Sequence, residues 1–263
     1  MSFIKNVKRY FYYMYYAAKA SLKSEVAGSK LNWIWWILEP LCFMFIYIFI
    51  FKVVFKAHED YFPVFVLIGL AVWDFFNRML SGSVKLISSN KQIVSKVYIP
   101  KYILLISRSF TYLFKFFISF ALVIVTMIII KVPFNLTILW VIPLVLLLYI
   151  VVFGISLIVM HFGVYVEDLA NVIRIGLKLL FYMTGVFYNI HTAVPEPYNH
   201  ILLKVNPVAF IMDSLRSVVI DGVNPNLLLC LIWLLIGTIL CILGIKLIKK
   251  YENSYVKVIL WMI

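Results

Sequence analysis

The chain has 263 residues, of which 65% are hydrophobic and 13% are charged, and its formal net charge is +13. Soluble domains are about 45–50% apolar, so this composition excludes an ordinary soluble protein and predicts one that crosses a membrane several times. The positive charge does not indicate nucleic-acid binding, because the lysines and arginines lie in loops between apolar runs, as membrane orientation requires.

Residues 1–30 are predicted to form an amphipathic helix that lies along the membrane surface. Apolar side chains recur every three or four residues from Phe3 to Leu22, and basic side chains follow the opposite face, a pattern typical of interfacial helices. The alternative is a soluble helix packed on another domain, but the sequence shows no second domain to receive it. A turn is expected at Gly28 and Ser29.

Six long apolar runs predict six transmembrane helices, because about 20 apolar residues are needed to cross a bilayer. Their approximate bounds are Leu31–Phe55, Pro63–Ile87, Leu104–Ile130, Ile138–Phe162, Val172–Tyr188 and Leu227–Ile248. The first five fall within residues 31–188, and the sixth begins residues 227–263, which end in a basic tail. The sequence therefore predicts one all-α integral membrane domain spanning residues 1–263.

The longest polar interruption in the first half of the chain runs from Ser88 to Ser107, between the second and third spans. Lys91, Lys96 and Lys101 recur there among apolar residues. Pro100 ends a helix at the residue before it, since proline disfavours helical geometry at that position. The pattern predicts a short amphipathic helix outside the membrane, available for another protein to bind.

Residues 189–226 contain four prolines and no apolar run long enough to cross a bilayer. Asn206 followed by Pro207 predicts the start of a helix, and Gly222 after Asp221 predicts its end. An apolar stripe lies between these signals. We therefore expect a re-entrant or surface-lying helical hairpin before the sixth span.

The distribution of positive charge predicts the orientation. With these bounds, most of the 24 lysines and arginines fall on the side of the two termini and of the segment from Ser88 to Ser107. The positive-inside rule assigns that side to the cytoplasm. Residues 189–226 are then expected on the extracytoplasmic side.

The sequence contains no familiar catalytic or nucleotide-binding motif. GxSxG, HExxH and a glycine-rich phosphate loop are lacking, and the cysteines and histidines lack the spacing of a metal site. Glu196 with His200, or Asp213 with Asp221, are the candidates for an acid and base in a membrane enzyme that acts on lipid-linked sugars. The alternative is that these are ordinary solvated loop residues.

Charged residues inside the predicted spans need partners, because an ionised group in hydrocarbon is costly. Asp74 and Arg78 lie four residues apart and are expected to form an ion pair along one helix face. A proton or substrate relay is the alternative. Lys115 is expected to extend towards the cytoplasmic head groups. No succession of acidic and histidine residues runs through the spans, which disfavours a proton-coupled transporter.

Aromatic residues are frequent in and near the spans, and most are expected to pack in the core or to face lipid. Aromatic rings also stack against sugar rings, so some of them are candidates for a glycan path. These candidates are Phe43, Tyr47, Trp73, Phe76, Tyr182, Phe187 and Tyr188.

The stretch NKQIVSKVYIPKYILLIS resembles the cytoplasmic coupling segment in permease subunits of type-2 ABC exporters of polysaccharides. Three further stretches resemble that family in the same order, namely AGSKLNWIWWILEP, EDLANVIRIGLKLLFYMTGVFY and NPVAFIMDSLRSVVIDG. The resemblance implies that the residues coupling the chain to an ATPase are Asn90, Gln92, Ile93, Lys96, Val97, Tyr98, Pro100 and Lys101.

The family resemblance implies a homodimer in the cytoplasmic (inner) membrane of a bacterium, bound to two copies of a separate ATPase subunit. That subunit would carry ATP and Mg, and no cofactor is expected on this chain. The substrate would be a polyprenyl-linked cell-surface polysaccharide of the O-antigen, teichoic acid or rhamnan kind. An exporter of small lipophilic drugs is an alternative, and a passive channel is disfavoured because it needs no coupling segment.

The resemblance also assigns roles to the N-terminal helix and to the outer helix. The N-terminal helix resembles the family's gate helix, where Lys5, Lys8 and Arg9 would meet a lipid phosphate; contact with ordinary anionic lipid is the alternative. The residues expected to matter in the outer helix are Asn206, Pro207 and Arg216. The chain departs from the family at Glu167, where an arginine is frequent, and at Gly185, where a proline is common.

Overall fold

The computed structural model describes residues 3–28, 30–54 and 59–261, and these form helices without any β-strand among them. The α-helices of this part of the chain are α1 Phe3–Arg9, α2 Phe11–Val26, α3 Trp35–Tyr47, α4 Phe62–Val84, α5 Leu86–Ser89, α6 Lys91–Lys96, α7 Lys101–Ile130, α8 Val141–Tyr165, α9 Leu169–Met183, α10 Ile190–Ala193, α11 Tyr198–Val205, α12 Pro207–Arg216 and α13 Leu227–Trp261. Short 3-10 segments, Asn32–Ile34 and Leu136–Trp140, precede α3 and α8, and π-helical segments, Ile48–Val54 and Ser217–Asp221, follow α3 and α12.

Five helical stretches among the described residues are long and apolar enough to cross a membrane. They are Asn32–Val54, Phe62–Val84, Lys101–Ile130, Leu136–Tyr165 and Leu227–Tyr255. These correspond to the first four and the last of the predicted spans, so the all-helical membrane class is confirmed. Phe55, the predicted end of the first span, lies outside the described residues, as does Ser29 of the predicted turn.

The fifth predicted span differs from the expectation. Helix α9 has 15 residues, about 22 Å at 1.5 Å per residue, which is shorter than the ~30 Å hydrocarbon core. It ends at Met183 because the chain turns at Gly185, whose φ of +69° is a left-handed conformation that suits glycine. The prediction of a helical span from Val172 to Tyr188 is therefore not confirmed.

Helix α4 is the most buried of the long helices. Its side chains from Val64 to Ile68 are all inaccessible or nearly so, because α7, α8, α9 and α12 pack around it. By contrast, α3 and α13 leave large apolar side chains exposed, among them Phe45 and Leu235. The fold is thus built around α4, and its outer helices present apolar faces of the kind that suit a bilayer.

Helices α8 and α13 form the most extensive helix pair. Their backbones approach closely at Gly154 and Gly237, where a Cβ added to Gly154 would lie only 2.9 Å from the Cβ of Leu240. Small residues at such crossings allow helices in a membrane to pack tightly. Helix α13 continues without a break to Trp261, so the predicted basic tail is helical.

The N-terminal segment is present as two helices, α1 and α2, which are separated at Tyr10. Met14 and Ala18 are buried against α7, whereas Phe11, expected on the same apolar face, is half-exposed. The Ser107 hydroxyl donates a hydrogen bond to the Met14 carbonyl oxygen over 3.2 Å. One side of the predicted interfacial helix is therefore used for packing on the third span.

The segment before the last span contains α10, α11 and α12. The side-chain oxygen of Asn206 accepts hydrogen bonds from the amides of Val208 at 3.0 Å and Ala209 at 3.2 Å, and Gly222 adopts a φ of +68°. The expected start and end of this helical segment are therefore confirmed. Helix α12 packs against α4 and α8, which buries its apolar stripe.

Candidate functional site

The link between α4 and α7 presents apolar and basic side chains to the outside. Helix α6 is only six residues long, and it is held at its base by the buried side chains of Val94 and Ile99. Five neighbouring side chains are exposed and are referred to as the α6 surface, namely Gln92, Ile93, Lys96, Val97 and Tyr98. Tyr98 is 70% exposed and Val97 is 53% exposed, which is unusual for large apolar groups in a polar loop and suits a docking surface.

Three of the residues assigned to coupling do not lie on the α6 surface. Asn90 is only partly exposed, and its side-chain amide donates a hydrogen bond to the Leu86 carbonyl oxygen over 2.7 Å. Pro100 is buried directly before α7. Lys101 is only 3% exposed, so its ammonium is not available to a partner in this conformation, in contrast to the expectation that groups it with Lys96.

Lys101 is buried because α13 runs past the base of the α6 surface. Its Nζ donates to the Ile99 carbonyl oxygen over 3.1 Å and lies 3.9 Å from Glu252 Oε1. The Tyr98 hydroxyl donates to Glu252 Oε2 over 3.4 Å, and this carboxylate raises the pKa of the Tyr98 phenol above its ordinary value. One acidic residue of α13 thus contacts both ends of the stretch from Tyr98 to Lys101.

The N-terminal helices hold the same stretch from the other side. The Tyr10 hydroxyl donates to the Tyr98 carbonyl oxygen over 3.2 Å, and the Asn6 amide donates to the Tyr102 hydroxyl over 2.8 Å. The three basic residues of α1, Lys5, Lys8 and Arg9, are exposed beside these contacts. The stretch from Tyr98 to Tyr102 is therefore in contact with the N-terminal helices on one side and with α13 on the other.

The aromatic residues predicted to form a glycan path lie close together. A continuous row joins Phe43 to Tyr47 at 6.2 Å, Tyr47 to Phe187 at 4.1 Å, Phe187 to Phe181 at 4.9 Å, Phe181 to Trp73 at 5.2 Å and Trp73 to Phe76 at 5.5 Å, measured between ring centroids. Tyr182 and Tyr188 adjoin this aromatic row, and the Tyr188 hydroxyl donates to the Tyr182 carbonyl oxygen over 2.6 Å.

The centre of the aromatic row is Phe181, which was not among the candidates chosen from the sequence. It contacts Trp73, Phe187 and Tyr182. It lies one turn after Leu177, the only α9 side chain that is buried, and packs against the core on the same side of the helix. Phe76, which was chosen, is 4% exposed and lies at the buried end of the row.

A cavity of about 220 Å³ lies beside the aromatic row, between α3, α4, α7 and α9. Its apolar walls include Trp36, Tyr47 and Trp73, and its polar side includes Asp74 and Arg78. Arg78 Nε lies 2.7 Å from each carboxylate oxygen of Asp74, so the predicted ion pair is confirmed. This combination of aromatic faces and fixed polar groups is suited to a sugar ring.

Two further carboxylates compensate the cations at this cavity. Arg78 Nη2 is 3.4 Å from Glu39 Oε2, and Lys115 forms an ion pair with Glu25 at the end of α2. Lys115 therefore contacts the end of the N-terminal helix α2, a partner that the sequence did not suggest. Sequence reasoning missed both pairings, because neither has a short spacing along the chain.

Arg216 is buried beside the start of α4, whereas the α6 surface follows the end of that helix. Its guanidinium donates to the carbonyl oxygens of Gly185 at 2.7 Å, Val186 at 2.7 Å and Phe65 at 3.2 Å. Gly69 leaves room for it, since a Cβ there would lie 2.5 Å from Arg216 Nη2. Burial lowers the pKa of Arg216 to about 9, so the side chain stays protonated at neutral pH and satisfies the carbonyls beyond the end of α9.

The acidic residues considered for catalysis form two separate groups, one with Glu196 and one with Asp213. His200 Nε2 lies 3.9 Å from Glu196 Oε1, and both side chains are largely exposed. Asp213 Oδ2 lies 3.0 Å from His191 Nε2, a pairing that the sequence did not suggest. Asp213 and Asp221 line a surface pocket of about 570 Å³, but no group of three metal-binding side chains occurs among the described residues.

Together these features define a class of protein: a multi-spanning membrane protein with an exposed apolar and basic surface between two spans and an aromatic-lined interior. The chain belongs to the ABC-2 type transporter family, whose model matches residues 13–220. Two proteins of Klebsiella pneumoniae, each described as O-antigen export system permease protein RfbA, are 26% identical over 239 residues, covering 90% of this chain and 91% of each protein. The protein of the same description from Myxococcus xanthus is 27% identical over 209 residues, covering 78% of this chain and 79% of that protein.

Proposed function

We propose that the chain is the membrane-spanning subunit of an ATP-driven exporter that moves a polyprenyl-linked cell-surface polysaccharide out of the cytoplasm. The glycan would be of the O-antigen, teichoic acid or rhamnan kind. Membership of the ABC-2 family and three relatives described as O-antigen export permeases support this function. The observation that carries it is the α6 surface, where Val97 and Tyr98 are exposed between two spans of a chain that lacks a nucleotide-binding motif.

The proposed coupling begins at the α6 surface. A separate ATPase subunit, with ATP and Mg, would bind Ile93, Lys96, Val97 and Tyr98 and would push on α6 during its cycle. Lys101 and Pro100 would act behind this surface, where Lys101 contacts Glu252. Two permease copies would bind two ATPase copies, in keeping with the symmetry of most oligomers.

The proposed topology has six crossings, with both termini in the cytoplasm of the inner membrane. Although α9 is short, it extends along α4 from the region of Ser81 and Lys85 to Phe65, where Arg216 contacts both Phe65 and the turn after α9. A helix of 15 residues followed by this turn would therefore complete a fifth crossing. Residues 189–226 would then form an extracytoplasmic re-entrant segment, with Asn206 and Pro207 starting its outer helix α12.

The proposed path of the glycan follows the aromatic row from Trp73 to Phe43. The sugar rings would stack on its faces, and the carboxylates of Glu39 and Asp74 would accept hydrogen bonds from sugar hydroxyls. The helices α1 and α2 would act as a gate beside this path, since Glu25 of α2 pairs with Lys115 at the cavity. Residues 1–30, 31–188, 189–226 and 227–263 would thus be functional parts of one permease domain.

Reconstitution with the cognate ATPase tests this function. We expect vesicles that contain both proteins to move a lipid-linked glycan to the outer leaflet only when ATP is present. Vesicles with the permease alone, or with an ATPase variant unable to hydrolyse ATP, serve as controls. Equal transport in these controls would contradict an ATP-driven exporter, and transport of small drugs in place of glycan would contradict the proposed substrate.

A further inference from the structure

A groove of about 880 Å³ lies between α4 and α9, and three cations line it. Lys85 comes from the end of α4, while Arg174 and Lys178 lie one turn apart on α9. All three side chains are exposed. We refer to this feature as the α4–α9 groove, and it is distinct from the α6 surface and from the exposed cations of α1.

The positive charge of the α4–α9 groove is not compensated by neighbouring carboxylates. No Asp or Glu is among the residues that line it, and the ion pairs found among the described residues involve other cations, such as Arg78 and Lys115. Arg174 donates only to the neutral side chain of Asn171, over 3.0 Å. Like charges four residues apart destabilise a helix, so a bound anion would relieve repulsion between Arg174 and Lys178.

One wall of the groove is aromatic and continues into the aromatic row. Trp73 and Phe181, whose ring centroids are 5.2 Å apart, line both the α4–α9 groove and the 220 Å³ cavity beside it. An anionic group bound next to the cations of the groove would therefore have the neighbouring part of the same ligand against the rings of Trp73 and Phe181. An anionic phosphate attached to a sugar has this arrangement of charge and apolar ring faces.

We propose that the α4–α9 groove binds the diphosphate that joins a glycan to its lipid carrier. Arg174 would hold one phosphate through two parallel hydrogen bonds, and Lys85 and Lys178 would act as point charges. The first sugar would rest against Trp73 and Phe181. The proposal rests on the proposed function, and it assigns the diphosphate to a site formed by α4 and α9 in addition to the basic residues of α1.

Binding to purified permease–ATPase complex in neutral-lipid vesicles tests the site. The probe is undecaprenyl diphosphate, the variant is Arg174→Gln with Lys178→Gln, and the matched control is Lys204→Gln, an exposed cation of α11. Loss of two charge-assisted contacts should raise the Kd at least about tenfold, and the control should keep the wild-type Kd. Because the substituted side chains are exposed and their mutual repulsion is removed, the melting temperature of the variant should be no lower than that of the wild type.

Competition distinguishes the sources of the anion. The proposal predicts that phosphatidylglycerol and inorganic pyrophosphate both compete more weakly than the lipid diphosphate. Equal competition by phosphatidylglycerol would overturn it in favour of a general anionic-lipid surface, and equal competition by pyrophosphate would overturn the assignment to a lipid-borne diphosphate. If the double variant keeps the wild-type Kd while the wild type exports glycan, the proposal for the α4–α9 groove alone is contradicted. If the wild type exports no glycan, the proposed function is contradicted.

Discussion

The buried ammonium of Lys101 lies 3.9 Å from the carboxylate of Glu252, so the first residue of α7 is held by the last helix of the chain. The same carboxylate accepts a hydrogen bond from Tyr98 over 3.4 Å, and its Oε1 is buried without a hydrogen-bond partner. The pair therefore joins the base of the α6 surface to α13 and is not fully satisfied in this conformation.

Replacing Glu252 should destabilise the permease. In Glu252→Gln the Lys101 ammonium stays buried without a countercharge, which we expect to cost about 1–3 kcal/mol in the free energy of unfolding. Glu196→Gln, at a largely exposed carboxylate, is the matched control and should be neutral. Thermal unfolding of both variants in detergent measures the difference. Equal melting temperatures would show that the pair contributes nothing to stability.

Arg216 should tolerate no replacement, including lysine. Its planar guanidinium serves three carbonyl oxygens on two elements, and a lysine ammonium cannot reproduce that fork. We expect Arg216→Lys to lower the free energy of unfolding by at least about 2 kcal/mol. Arg9→Lys, at an exposed position, is the control in the same unfolding measurement. An Arg216→Lys variant as stable as the control would disprove the structural role of the guanidinium.

The α6 surface should be required for ATPase binding but not for folding. Val97→Glu places a charge on a side chain that is 53% exposed, so the fold should be unaffected while an apolar contact with the partner is lost. Co-purification of the ATPase is the measurement, and Val223→Glu, at 57% exposure elsewhere, is the matched control. Retention of the ATPase by Val97→Glu at the level of the control would exclude this surface as the docking site.

Asp74 should contribute more to stability than Glu39, although both face Arg78. Asp74 lies 2.7 Å from Arg78 Nε, whereas Glu39 is 3.4 Å from Nη2 and is half-exposed. Pairs exposed to this degree contribute about 0–1 kcal/mol, so we expect Glu39→Gln to be nearly neutral and Asp74→Asn, which weakens two short hydrogen bonds, to lower the melting temperature more than Glu39→Gln does. Asp60→Asn, at an exposed carboxylate, is the control. The reverse order of Asp74→Asn and Glu39→Gln would contradict the observed geometry.

Asp221 should make the free energy of unfolding decrease as the pH rises. Burial first, and then the carboxylates of Asp213 and Glu59, raise the pKa of Asp221. Between its ordinary pKa and this raised value, the folded protein keeps a proton that the unfolded chain has released, so the free energy of unfolding falls as the pH rises. Asp221→Asn should be more stable than wild type above this interval, and the difference should disappear below it. Unfolding measured across pH tests the sign.

Several features were predictable from the sequence because they depend on nearby residues. The apolar runs determine five spans by their length, and the Asn206 cap and the Asp74–Arg78 pair follow from spacings of a few residues. The burial of Lys101 and the Lys115–Glu25 pair were not predictable, because they depend on how distant helices pack. The early end of α9 likewise depends on Arg216, which satisfies the carbonyls of the turn after it.

Transport by reconstituted vesicles tests the central claim most directly. The measurement is the ATP-dependent appearance of a lipid-linked glycan in the outer leaflet, with the cognate ATPase and either the wild-type chain, Val97→Glu or Val223→Glu. We expect transport by the wild type and by Val223→Glu, and none by Val97→Glu. Wild-type transport that needs neither ATP nor the ATPase, or full transport by Val97→Glu, would contradict an exporter driven through the α6 surface.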